Sequence, residues 1–180
     1  DDPRLVRDAL REHGAVLATS GNHVEVTTAL AALDDVGLLG EDVRLLLVGA
    51  LAHMERGQVD AADVLLERAD ELRVTEPDAA LRALRSLAAA RRAWYRPDGP
   101  RPDGGSPGTA DTELGVVSML LRANLAMADG RAPEAVEVTR VAVEQASGEG
   151  REYLRARALA TRAMAVGLLG EITHMLGLVE

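Results

Sequence analysis

Cysteine and phenylalanine are absent from this chain of 180 residues, which holds one tryptophan and two tyrosines. Without cysteine there is no disulfide framework, no thiolate zinc finger, no iron–sulfur centre and no thiol nucleophile. An aromatic content of 2% leaves few platforms for stacked bases, and a formal net charge of −9 adds general repulsion from phosphate, so no direct nucleic-acid ligand is expected. Lysine is missing too: all 20 basic residues are Arg, which together with the Ala, Gly and Val load reads as the codon bias of a GC-rich bacterial genome. No apolar stretch of about 18 residues occurs; the longest run, Leu45 to Ala52, is too short to span a bilayer. The start Asp1-Asp2-Pro3 carries no initiator Met and no charged leader with an apolar region, so the chain reads as a soluble, cytoplasmic segment of something larger, with no membrane partner.

What is present is 47% hydrophobic and 27% charged, the composition of a folded chain long enough for one domain. Apolar residues recur at helical spacing almost throughout, and strand-type alternation is nearly missing, so the fold class expected is all-α with about eight or nine helices. Asp2 as N-cap and Pro3 at the first helical position open a helix over 3–19. Further helices are predicted over 23–36, 41–56, 59–74, 78–96, 111–128, 133–146, 151–169 and from 171 to the end, the last cut short. Paired by short turns, they make hairpins over 3–36, 41–74, 111–146 and a truncated 151–180, with 78–96 irregular. Residues 97–108 hold four of the seven prolines and four glycines, which neither helix nor strand absorbs; 97–109 is therefore expected to be a flexible loop.

The interhelix glycines Gly21, Gly57, Gly130 and Gly170 follow one another at 36, 73 and 40 residues, the middle interval fitting two repeats of about 36. Around Gly57 stand Ala50, Val59, Ala62, Leu66 and Ala69; around Gly130 stand Ala123, Ala135 and Ala142. Weaker copies carry Gly14, Val26 and Leu30, and Ala163 and Ile172. This alternation of small, turn-glycine and large positions resembles the tetratricopeptide repeat (TPR), a helical hairpin of 34 residues, over about three quarters of the chain. Small residues let the helices of one hairpin approach, large ones fill the gap to the next, and Gly supplies a positive φ at the turn. An irregular bundle with evenly spaced glycines is the alternative.

The resemblance implies an α-solenoid whose first helices line a concave face. Carried over residue by residue, its inward positions are Arg44, Leu47, Leu51 and Met54; Val117, Leu120, Asn124 and Met127; and Arg157, Ala160 and Met164. Arg44 and Arg157 would hold carboxylates, and the Leu and Met strip would take a partner helix, a peptide or a small apolar effector. Asn124 matches a position of peptide-clamping members, but their accompanying Lys is Leu120 here, which breaks that clamp. The same strip at helical spacing also suits a buried core, and both readings stand open at this level.

Catalysis has little to rest on. His13, His23, His53 and His174 lie in different predicted helices without metal-ligand spacing, residues 99–108 lack a phosphate-loop pattern, and the carboxylates Asp34, Asp35, Asp60 and Asp63 fall at helix ends. No enzyme activity, metal or cofactor is expected. Trp94 and Tyr95 are either a packing plug for the irregular hairpin or an interface anchor. Arg85, Arg91, Arg92, Arg96 and Arg101 form a local basic set, either solvated or a dock for an acidic segment. The functional expectation is a non-enzymatic interaction or sensor module of a larger bacterial regulatory protein, similar to the degenerate helical repeats of large transcription activators and of repeat-bearing diguanylate cyclases; a homodimerisation domain without a groove is the alternative.

Overall fold

The computed structural model describes residues 2–72, 79–96, 113–148 and 151–170. Among these the protein is all-helical, with α1 (Pro3–Thr19), α2 (His23–Asp35), α3 (Val43–Glu55), α4 (Val59–Glu71), α5 (Ala79–Tyr95), α6 (Glu113–Ala128), α7 (Ala132–Gln145) and α8 (Glu152–Leu168). The predicted loop over 97–109, the last predicted helix from 171 and the first residue of the helix predicted over 78–96 lie outside the described residues. The chain gathers into two compact units, Asp1–Tyr95 and Arg96–Glu180.

Local chemistry sets the helix ends. The Asp2 carboxylate accepts from the Arg4 N–H at 2.9 Å, and Asp42 accepts from the N–H groups of Arg44 and Leu45, so each satisfies donors that the first turn of a helix leaves open. At the other ends, Gly21, Gly57, Gly130 and Gly170 all have positive φ, from 71° to 99°, a backbone region that a Cβ would strain. Gly21, Gly57 and Gly130 thus stand in the turns between α1 and α2, α3 and α4, and α6 and α7.

In the first unit every other helix packs on α3: α1, α2, α4 and α5 all touch it, while α1 also packs on α2. The sequence of α3, Val-Arg-Leu-Leu-Leu-Val-Gly-Ala-Leu-Ala-His-Met-Glu, is apolar on nearly all sides, and a helix apolar all round must be surrounded. Val43 and every residue from Leu45 to Ala52 are buried, as is Met54. The small positions Ala50, Ala62 and Ala69 are buried where α3 and α4 approach. Replacing Ala62 by Leu should therefore overpack this contact and cost about 1–3 kcal/mol, read as a lowered urea midpoint at unchanged slope; an unaltered midpoint would mean the site has room to spare.

The second unit repeats the economy of small side chains. Helices α6, α7 and α8 pack on one another, and Ala123, Ala126, Ala135 and Ala165 form a buried cluster with Met127, Val136 and Val138 against it. Because alanine adds little bulk, backbones approach closely and burial comes from the helix surfaces themselves. At the rim, Arg122 of α6 and Arg131 both pair with Glu134 in the first turn of α7, and these guanidiniums hold the Glu134 carboxyl below its ordinary range.

Candidate functional site

The residues assigned to an inward strip divide between the two units and meet different fates. Leu47, Leu51 and Met54 are core residues: α3 has neighbours on all sides, α5 included, and none of the three offers a surface to a partner. The reason is that the apolar residues of α3 run round the whole helix and not along one side, so that α1, α2, α4 and α5 together enclose it. Arg44, at the start of α3, is half-buried and stays at the rim. In the second unit Leu120 and Val117 are buried, and Asn124 and Met127 are half-buried, Met127 packing on the alanine cluster. On α8 the Arg157 guanidinium lies 5.8 Å from the centre of the Tyr153 ring, and Met164 is 54% exposed. Tyr153, Ala160, Met164 and Leu168 form an exposed side of α8 at helical spacing.

The arginine set before the Pro/Gly segment is not an open basic dock. Arg91 pairs with Glu55 of α3 at 3.1 Å, Arg92 pairs with Asp63 of α4 at 2.7 Å, and Arg85 donates to the Ala69 carbonyl at 3.2 Å. These contacts clasp α5 to α3 and α4. Tyr95 joins them: its hydroxyl donates to the Met54 carbonyl at 2.8 Å, and the Arg91 guanidinium lies 5.3 Å from the ring centre. Tyr95 therefore acts as the packing plug, whereas Trp94 beside it is 40% exposed. Arg96 is exposed, and Arg101 lies outside the described residues.

What α1, α3 and α5 do leave open is a cleft of about 720 Å³ lined by Arg7, Arg11, Arg44, Leu38, Val43 and Leu81, with Glu41 and Asp42 at its edge. Arg7 and Arg11 stand four residues apart on α1 and so share one side of it. Arg7 donates to Asp8 at 2.9 Å, and Arg11 Nε lies 3.3 Å from Asp42 Oδ2. Asp42 thereby does two things at once, capping α3 and fixing Arg11 toward the cleft. Three guanidiniums thus line one cleft, Arg7 paired with Asp8 and Arg11 with Asp42, and a guanidinium's five N–H groups leave donors for a further carboxylate, the arrangement that suits a carboxylate-bearing partner. Of the three, a repeat position marks Arg44 in the sequence, whereas only their spacing on α1 marks Arg7 and Arg11.

Among the described residues no group of three or more His, Asp or Glu is placed to hold a metal ion, and no helix is long and apolar enough to cross a membrane. His13 is exposed, His23 and His53 are half-buried, and His174 lies outside the described residues. Comparison with models of known protein families, with curated proteins and with solved structures yields no match.

Proposed function

We propose that this chain is a non-enzymatic, TPR-like interaction or sensor module of a larger cytoplasmic bacterial regulatory protein, and that it takes an acidic protein or peptide segment in the arginine cleft of its first unit. The order of helix contacts supports a stacked-hairpin reading: α1 packs on α2 and on α3, and α3 packs on α4 and on α5, each odd helix meeting its successor and the next odd helix. Turn glycines with positive φ and buried alanines at the small positions support it as well. The observation that carries the functional part is the convergence of Arg7, Arg11 and Arg44 on one cleft with an apolar wall of Leu38, Val43 and Leu81. Carboxylates would pair with the guanidiniums while an apolar side chain seats on the leucines, and the occupied cleft would bias how α1, α3 and α5 sit together.

Selection of random peptides displayed on phage against the purified chain tests this. Enriched peptides should carry Asp, Glu or a free C-terminal carboxylate, and their affinity should fall at least about tenfold with Arg44→Glu or Arg7→Glu. Failure to enrich any peptide, or binding indifferent to both substitutions, would remove the cleft as the site. The exposed side of α8 favours a second reading, a homodimer joined through Tyr153, Met164 and Leu168. Sedimentation velocity over a wide concentration range separates the two, because an obligate dimer that reverts to monomer with Met164→Glu supports self-association and a concentration-independent monomer supports the recognition module.

A further inference from the structure

A second cavity, of about 530 Å³, opens between α2, α3 and α4 on residues distinct from those of the arginine cleft. Leu30, Leu45 and Leu65 give it an apolar floor, and Thr27, His53, Arg56 and the carboxylate of Asp34 bring polar groups to it. Its size and its mixture of apolar wall with a few directed polar groups are those of small-molecule sites, which run to about 300–1,000 Å³.

Two features go beyond shape. The first is Arg56, the C-cap of α3, whose Nη1 donates to the Thr27 hydroxyl at 2.9 Å. The Thr27 hydroxyl spends its own proton on the Val24 carbonyl at 2.9 Å, so its oxygen is a fixed acceptor that aims the guanidinium. No carboxylate of the described residues lies within ion-pair distance of Arg56. Nor do the last carbonyls of α3 need it, since the Ala52, His53 and Met54 carbonyls accept from the N–H groups of Arg56, Gln58 and Gly57. Asp34, which lines the same cavity, faces Arg68 at 3.9 Å, so the oriented and exposed Arg56 guanidinium at the cavity mouth has no ion pair of its own among the described residues and can take an anion. His53 stands a turn away, its Nδ1 bonded to Gln58 Oε1 at 2.9 Å; the amide oxygen accepts, so Nδ1 carries the proton and Nε2 is the ring's other polar atom.

The second feature is Gly49, in the middle of α3 and lining the same cavity. A Cβ there would stand 2.9 Å from Leu65 Cδ1 and 3.3 Å from Leu30 Cδ1. Glycine weakens a helix interior, and here its bare backbone lets the leucines of α2 and α4 close over α3 and form the floor.

We infer that this cavity binds a small amphipathic carboxylate, its carboxylate paired with Arg56 and its apolar chain laid over Leu65 and the accessible edge of Leu30. Recognition is reversible and involves no chemical step. Bidentate pairing uses the guanidinium edge, and the contact of the apolar chain with the leucines adds to it.

Isothermal titration calorimetry with octanoate on the whole chain, and with 1-octanol as the uncharged counterpart, tests the assignment. Octanoate should saturate a single site and octanol should bind at least about tenfold more weakly. Arg56→Gln should weaken octanoate by about tenfold or more, Arg56→Lys should restore part of that loss, and Ala31→Trp, placed at the exposed rim, should block binding by filling the mouth. Circular dichroism on each variant establishes that it is folded. No saturable octanoate binding, equal affinity for octanol, or indifference to Arg56→Gln in a folded variant would each overturn the site.

Discussion

Replacing Leu51 by Glu should unfold the Asp1–Tyr95 unit, seen as a large loss of far-UV helical signal at 25 °C. Leu51 is 0% exposed, on a helix packed by α1, α2, α4 and α5. Truncating a buried Leu costs about 2–5 kcal/mol through lost transfer energy and the cavity left behind. Placing a carboxylate there adds the cost of an unpaired buried charge, several kcal/mol more, or forces it to take up a proton. Against a domain stability of about 5–15 kcal/mol, the sum removes most or all of it. Met164→Glu on α8 provides the contrast, since that side chain faces solvent and its replacement should shift stability by less than about 0.5 kcal/mol. A folded Leu51→Glu variant would return that residue to a surface strip and undo the central place given to α3.

Glu55→Ala should cost about 3–5 kcal/mol in urea unfolding of the same unit. The Arg91–Glu55 pair joins α5 to α3 at 3.1 Å, with side chains 10% and 11% exposed, so removing the acid leaves a buried guanidinium without its carboxylate. Exposed ion pairs contribute about 0–1 kcal/mol, and a loss of that size would show the pair to be better hydrated than its burial implies. The double substitution Glu55→Leu with Arg91→Met should recover most of the stability, because an apolar pair of similar volume avoids the desolvation that the ions incur. Arg91 Nε has no acceptor, which makes the ionic arrangement incompletely satisfied and the apolar one competitive. Tyr95, bonded to the Met54 carbonyl, should hold α5 in place in that variant.

Both expectations turn on α5, and α5 is where reading the sequence parts from reading the fold. Its helical span was legible, Ala79–Tyr95 against an expected 78–96, because apolar spacing is a property of the segment itself. Its role was not. Arg85, Arg91 and Arg92 read along the sequence as a basic set, and only packing brings Glu55, Asp63 and the Ala69 carbonyl to them from other helices. The same holds for the strip Leu47, Leu51 and Met54. A hydrophobic stripe says that one side of a helix avoids water, not which neighbour supplies the cover. One clue was present: the apolar run Leu45 to Ala52 wraps round the helix instead of keeping to a side, which foretells a helix enclosed by others.

The candidate site was legible in one residue of its lining. Arg44 stood out because a position in a repeat could be assigned to it. Arg7 and Arg11 come from another helix, and the shared Asp42 contact that turns Arg11 toward Arg44 spans 31 positions of the chain. Arg56 and Thr27 are likewise separated by 29 positions, and no local pattern couples a guanidinium to a hydroxyl at that distance.

The sequence by itself determined the helices and their ends: periodic apolar residues, Asp2 and Asp42 as carboxylate caps, and glycines at the turns act within a few residues, through hydrogen bonds and backbone sterics that need no distant partner. The tertiary structure alone decided which apolar surfaces are covered and which charges are matched, making α3 a core helix and leaving Arg7, Arg11 and Arg44 around an open cleft. Burial and ion pairing depend on groups brought together from far along the chain, and that information resides in the packing of helices against one another.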